Sequence, residues 1–259
     1  MMSNLSQSAT KSKINMYAIN YIMEDFKFYM INLEYCKDRK EDMYNMYNKD
    51  DLICVNAYDG RKIANYKDIK LPKNVNVKPN EFGCSLSHIK AIKNAYENNE
   101  KEIFVIEDDT HNIYKSIWEK SLKEIIENKP EDTECLIFYS SNPTLKKQMM
   151  SKQEIEYIPF SYTWSTGCYY INRNGMEKIY NKYVKNGIID FSTLKERNDI
   201  IADQFLIYSQ LQTYIYNRPT FTDQCKLSTI HQKDLTIHEL SNEITINYFI
   251  ERVIKNELI

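Results

Sequence analysis

The sequence predicts an α/β fold, a mainly parallel mixed sheet flanked by helices. Apolar runs of strand length recur at Lys27–Leu33, Glu102–Ile106 and Cys135–Tyr139, without the alternation of a half-exposed strand. Such runs suit strands buried on both faces, as in a helix-covered parallel sheet. Segments with helical apolar spacing separate them, which gives the strand–helix alternation of an α/β chain.

Residues 1–13 are polar and read as a disordered or extended tail, and 14–25 as a short helix. After the strand at Lys27–Leu33 comes a polar segment with helical spacing, Cys36–Tyr47, and a short strand, Asp51–Asn56. Asp59-Gly60 marks a turn, and Lys67–Asn80, with two prolines and little periodicity, reads as loop. Leu86, Ile89, Ile92 and Ala95 share one face of a helix that Ser85 is placed to cap. The strand Glu102–Ile106 leads into Glu107-Asp108-Asp109, and Tyr114–Asn128 has amphipathic helical spacing. Cys135–Tyr139 and Tyr169–Ile171 read as strands, the second leading to a helix after Asn174-Gly175. Ile200–Leu211 reads as helix, Thr213–Tyr216 as strand, and 241–259 as a C-terminal helical extension. No repeat and no linker interrupt 27–230, so 14–259 is expected to form one domain around that motif-bearing core.

Lys and Arg total 34 against 36 Asp and Glu, a net charge of -2 that argues against nucleic acid or an anionic membrane as main partner. The opening thirteen residues have no apolar stretch behind them, so no secretory signal is expected. No apolar run approaches the ~18 residues that span a bilayer. Cysteines at 36, 54, 84, 135, 168 and 225 form no C-x-x-C pair and match no zinc-module spacing. Free thiols in a reducing cytoplasm are therefore expected. The 21 tyrosines accompany many Asn, Lys and Ile, a bias of AT-rich coding.

Four local patterns carry chemistry. Ile103-Phe-Val-Ile-Glu107-Asp108-Asp109 ends a buried strand in three acids. Ligands of open α/β sheets bind at the carboxyl ends of strands, and adjacent carboxylates repel unless a cation or proton compensates. A hard divalent ion such as Mg²⁺ or Mn²⁺ is the simplest compensation; solvation or capping of the next helix is the plain alternative. Gly83-Cys84-Ser85-Leu-Ser87-His88 opens a helix, where Ser and His suit an anionic or sugar ligand, though His88 equally suits a core or capping role. A Cys84–His88 nucleophile pair lacks an orienting partner in the sequence. The stretch from Tyr162-Thr-Trp164 to Tyr169-Tyr170 suits a sugar-stacking wall or an aromatic core edge, and Asp203 lies on a helix with an apolar face.

The order of the motifs is more specific than any one of them. Asn32-Leu33-x₅-Arg39 is followed by Asp59-Gly60-Arg61, Gly83-Cys84-x-x-Ser87-His88 and Glu107-Asp108-Asp109. Tyr169-Tyr170-Ile171-Asn172-x-x-Gly175, Asp203 and Gln224-x₃-Ser228-Thr229-Ile230 complete the series. Over about residues 27–230 the chain resembles glycosyltransferase family 25, the group of lipooligosaccharide and collagen galactosyltransferases. Asn172 and Met176 depart from it, standing where the family usually has Ser or Thr and Ala.

The resemblance implies a GT-A-type, Rossmann-like nucleotide-sugar-binding fold. It implies a divalent cofactor, Mn²⁺ or Mg²⁺, and inverting transfer of a hexose (galactose, glucose or N-acetylglucosamine) from a UDP-sugar to a hydroxyl of a glycan or protein. On that basis Asp108 and Asp109 are expected to ligate the metal, with His231 as a third ligand or a structural residue. Asn32, Leu33, Arg39, Asp59, Gly60, Arg61, Ser87 and His88 are expected around the donor, with Glu107 at the ribose or orienting the pair. Asp203 is the expected base and Asp190 its alternative. A catalytically inactive nucleotide-sugar-binding protein is the competing reading. A two-metal phosphoester hydrolase fits less well, since the chain has only 4 His to ligate metals. The expected setting is a bacterial cytoplasm, or host cytoplasm during infection by a large DNA virus.

Overall fold

A computed structural model describes residues 26–152, 154–161, 165–223 and 235–254. The expected tail at 1–13, the helix at 14–25, Tyr162–Trp164, the Gln224–Ile230 motif and His231 lie outside the described residues. In chain order the elements are β1 (Phe28–Asn32), α1 (Lys37–Met46), β2 (Leu52–Asn56), a 3-10 turn (Gly60–Asn65), β3 (Ile69–Lys70) and α2 (Pro79–Glu97). Next come β4 (Glu102–Glu107), β5 (Thr110–His111), α3 (Leu122–Glu127), β6 (Cys135–Ile137), α4 (Pro143–Met150), β7 (Tyr157–Pro159) and β8 (Cys168–Asn172). The chain continues through α5 (Arg173–Tyr183), β9 (Val184–Lys185), β10 (Ile188–Asp190), a π-turn (Ala202–Leu206), β11 (Thr213–Tyr216), β12 (Thr222–Asp223) and α6 (Leu235–Ile254).

Seven strands form a mixed sheet in the order β2-β1-β4-β8-β6-β11-β7. Strands β2, β1 and β4 run parallel, as do β6 and β11. Strand β8 is antiparallel to both neighbours, and β7 closes the edge antiparallel to β11. Side chains alternate between two buried faces. Tyr29, Ile31, Ile103, Val105, Tyr169 and Ile171 pack with α2 and α5 residues on one face. Phe28, Met30, Phe104, Ile106, Leu136 and Tyr170 pack with α1 and α3 residues on the other. Burial on both faces explains the continuous apolar runs.

Several elements differ from the sequence reading. Helix α2 starts at Pro79, not Ser85: proline suits a first helical turn, and Glu81 Oε2 accepts from the Lys78 N–H at 3.2 Å. Ser85 is therefore a buried mid-helix residue, not a cap. The Lys67–Asn80 loop contains β3, which pairs with β10. The helix expected over Tyr114–Asn128 forms only at Leu122–Glu127, where Ser121 and Glu124 supply a capping box. Upstream, the Trp118 indole donates to the Thr220 carbonyl at 3.1 Å and draws the chain out of helical spacing. Ile200–Leu211 divides into a π-turn and a 3-10 turn at Tyr208–Gln210, which bury Leu206, Ile207 and Tyr208 together; one face of an α-helix does not hold three consecutive residues. Helix α5 begins at Arg173 because Asn172 Oδ1 accepts from the Gly175 N–H at 2.9 Å. Asn, Ser and Thr are all good N-caps, so the departure at 172 preserves this role.

Candidate active site

Because β1, β2 and β4 are parallel, their carboxyl ends lie side by side, with Ile31 opposite Glu107 and Asn32 opposite Asn56. The segments leaving them, and the first turns of α2, enclose a cleft of about 420 Å³. Leu33, Arg39, Asp59, Gly60, Arg61, Ser87, His88, Glu107, Asp108 and Asp109 all line it. Close backbone approach makes this possible. A Cβ at Gly60 would lie 2.1 Å from the Pro79 carbonyl oxygen, and one at Gly83 would lie 2.6 Å from that of Tyr58. Both glycines let the loop after β2 press against α2.

Asn32 lies behind the wall. Its amide donates to Asp108 Oδ2 at 2.7 Å and to the Cys36 carbonyl at 3.0 Å. Arg39 donates to Asp108 Oδ1 at 2.9 Å and to Asp109 Oδ2 at 3.1 Å. Both Asp108 oxygens are thus held, whereas Asp109 Oδ1 has no hydrogen-bond partner among the described residues. Burial, then Glu107 and Asp108, push the Asp109 carboxyl up to about 7. Burial also opposes ionisation of Glu107, but hydrogen bonds from His88 and Thr166 outweigh it and hold this carboxyl low. His88 Nε2 is 3.3 Å from Glu107 Oε1, and Thr166 Oγ1 donates to the same oxygen at 2.7 Å.

Asp59 caps the 3-10 turn and grips Arg61 in a bidentate pair, while the Arg61 guanidinium lies 4.6 Å above the Tyr35 ring centroid. Ser87 accepts from the Tyr58 N–H at 2.8 Å and donates to the Gly83 carbonyl. Its polar groups therefore act within the fold, pinning the Asp59–Arg61 loop. Burial raises the Cys84 thiol well above its ordinary range in the metal-free protein, which argues against a Cys–His nucleophile there.

The two expected bases lie in different settings. Asp203, on the π-turn, accepts from the Ser165 N–H at 2.7 Å through Oδ2, while its Oδ1 is buried without a hydrogen-bond partner among the described residues. Burial raises its carboxyl. Asp190 ends β10, where Ser192 hydrogen bonds hold its carboxyl low and Lys70 lies 3.5 Å away. Neither aspartate is among the residues lining the cleft, but Asp203 lies near enough to Glu107 and His88 for their charges to act on it.

Sequence reasoning missed Asp223 and His238. Pairing of β12 with β5 sets Asp223 opposite Thr110, one residue after Asp109. Asp223 Oδ2 accepts from Tyr139 and is 2.5 Å from His238 Nδ1 on α6. The Asp223 hydrogen bond raises the His238 imidazole against the lowering effect of burial. No spacing in the sequence links these residues to the acidic triplet; the only local signal was a second acid directly before the Gln224 motif.

No curated protein matches the chain. Among solved structures it is similar to A197 from STIV, at 12% identity over 76% of this chain and 83% of that one, with a TM-score of 0.39. It is also similar to a glycosyltransferase involved in glycosylation of the major capsid of PBCV-1, at 9% identity over 85% of this chain and 99% of that one, with a TM-score of 0.39. The sequence pattern of glycosyltransferase family 25 (LPS biosynthesis protein) matches residues 25–193, from the residue before Phe26 through the acidic triplet to the segment after β10. The chain belongs to glycosyltransferase family 25, and it is a glycosyltransferase.

Proposed function

We propose that the cleft binds a UDP-sugar with Mn²⁺ or Mg²⁺ and transfers its hexosyl group, with inversion, to a hydroxyl of a glycan or protein. The observation that carries this reading is the acidic end of β4. Glu107, Asp108 and Asp109 converge on the cleft with Asp223 nearby, and Arg39 is the Lys or Arg that pairs with the two aspartates. The oxygen-only Asp108–Asp109 pair, with an excess of negative charge around it, suits a hard divalent cation. The raised Asp109 carboxyl fits the same need, since a cation beside it would restore the anion. Asp109, with its open Oδ1, would be the principal ligand. Asp108, oriented by Asn32 and Arg39, would support it.

When bound, the metal supplies charge neutralisation for the leaving diphosphate. Residues of the chain carry the remaining tasks. Arg61 over Tyr35 forms a planar platform lining the cleft, suited to a uracil ring. His88 and Glu107 also line the cleft, suited to sugar hydroxyls or ribose. Asp203 accepts the proton of the attacking hydroxyl. Its raised carboxyl and unpartnered oxygen make it the better base of the two aspartates, whereas Asp190 is committed to Ser192.

A panel of UDP-sugars with Mn²⁺, read by UDP release, tests the reading. At least one donor should turn over, and Asp109→Ala should abolish turnover. No metal-dependent release and no thermal shift with any donor would refute it. Binding without turnover would favour an inactive nucleotide-sugar-binding protein.

A further inference from the structure

Cys84 and His88 stand one helical turn apart on α2, and Glu107 ends β4 facing them. One ligand atom from each, the thiol sulfur, an imidazole nitrogen and a carboxylate oxygen, lie within 4.8 Å of one another. All three residues line the cleft, so an ion has an entry path and an open coordination position. His88 Nε2 and Glu107 Oε1 are 3.3 Å apart. That distance makes a weak hydrogen bond in the metal-free protein. It matches the edge of about 3.3 Å of a tetrahedron whose metal–ligand bonds are about 2.0–2.1 Å.

The surroundings are also those of a metal site. His88 Nδ1 lies 3.2 Å from the Tyr169 hydroxyl, which fixes the ring and directs Nε2 toward Glu107. Thr166 Oγ1 holds the Glu107 carboxylate. Cys84 is a free cysteine.

We propose that Cys84, His88 and Glu107 form a second divalent-cation site, selective for Zn²⁺, beside the oxygen-only Asp108–Asp109 pair. Thiolate and imidazole favour zinc over magnesium or manganese, so neighbouring donor sets sort ions by softness. The three protein ligands leave the fourth tetrahedral position facing the cleft, so a sugar or ribose hydroxyl brought to His88 and Glu107 would meet the ion there.

Cobalt(II) titrated into the reduced, metal-free full chain tests this assignment. A near-ultraviolet thiolate-to-cobalt charge-transfer band should appear, and Zn²⁺ should abolish it while excess Mg²⁺ does not. Cys84→Ser should remove the band and weaken Zn²⁺ binding at least tenfold. Cys36→Ser, at the other cysteine lining the cleft, should keep the band. X-ray absorption of the zinc-loaded wild type needs no variant to fold and should show one sulfur among nitrogen and oxygen ligands. Absence of the band in wild type, its survival in Cys84→Ser, its loss in Cys36→Ser, or a zinc shell without sulfur would each overturn the proposal. These measurements read metal–thiolate bonds and not turnover, so their outcome is independent of which donor the cleft takes.

Discussion

Replacing Asp109 with Asn is expected to stabilise the metal-free protein at alkaline pH while abolishing transfer. The Asp109 side chain is 24% exposed, and burial with its two acidic neighbours raises its carboxyl to about 7. In the unfolded chain the same group titrates near 3.9. Between those values the folded state holds more protons than the unfolded state, so stability falls as pH rises from about 4 to about 7. At ~1.4 kcal/mol per pH unit the gap sets an upper bound of about 4 kcal/mol. Coupling to Glu107 and partial solvent access reduce it, and about 2 kcal/mol is the expected loss. Asparagine has the same shape, brings no charge into the cluster and can still accept from Arg39. Urea unfolding of chelator-treated wild type and variant should therefore give curves whose stability gap widens in favour of Asp109→Asn as pH rises, reaching about 2 kcal/mol near pH 8. Saturating Mn²⁺ should narrow the gap by stabilising only the wild type. Parallel pH profiles, or a variant less stable than wild type near pH 8, would refute the charge-excess reasoning at the end of β4.

Asp203→Asn should lower turnover at least tenfold and leave UDP affinity nearly unchanged by calorimetry; a loss of affinity would move Asp203 to the donor site. In Ser87→Ala, the buried Tyr58 N–H loses its acceptor, at an expected cost of about 1–3 kcal/mol in denaturant unfolding. Gly60→Ala places a methyl group 2.1 Å from the Pro79 carbonyl oxygen, so the loop must retreat from α2. A loss of about 1–3 kcal/mol and weaker donor binding should follow, and wild-type stability would show that the loop yields freely.

The central strands β1, β4, β6 and β8 were legible because they are buried on both faces, and burial writes itself into sequence as a continuous apolar run, whereas the partly exposed edge strand β7 left no such run. The triplet was legible for a related reason: three acids directly after Ile106 break such a run abruptly. Element boundaries were less legible where one side chain overrides spacing. Pro79 and Glu81 start α2 well before its apolar stripe, and Trp118 leaves helical spacing to reach Thr220. Ser87 was legible as a cleft residue but not in its task, because hydrogen bonds to Tyr58 and Gly83 depend on how closely two glycines let a loop approach a helix.

Asp223 and His238 mark where sequence reasoning ends. Their place beside Asp109 depends on β12 pairing with β5, which joins residues more than a hundred positions apart, and on α6 returning to bring His238 to Asp223. Lys146 helps fix that return: its ammonium, buried in the fold, donates to the Ser241 carbonyl at 3.1 Å and to Thr245 Oγ1 at 2.9 Å. A buried cation held by two α6 acceptors locks the helix axially, and the Asp223–His238 contact then sets the helix end nearest the cleft. The family pattern ends at residue 193, before Asp203, Asp223 and His238. The matched segment thus supplies the acidic end of β4 and the Arg39, Asn32 and His88 contacts that mainly set its charge, and the segment beyond it adds Asp223 and His238 as weaker neighbours.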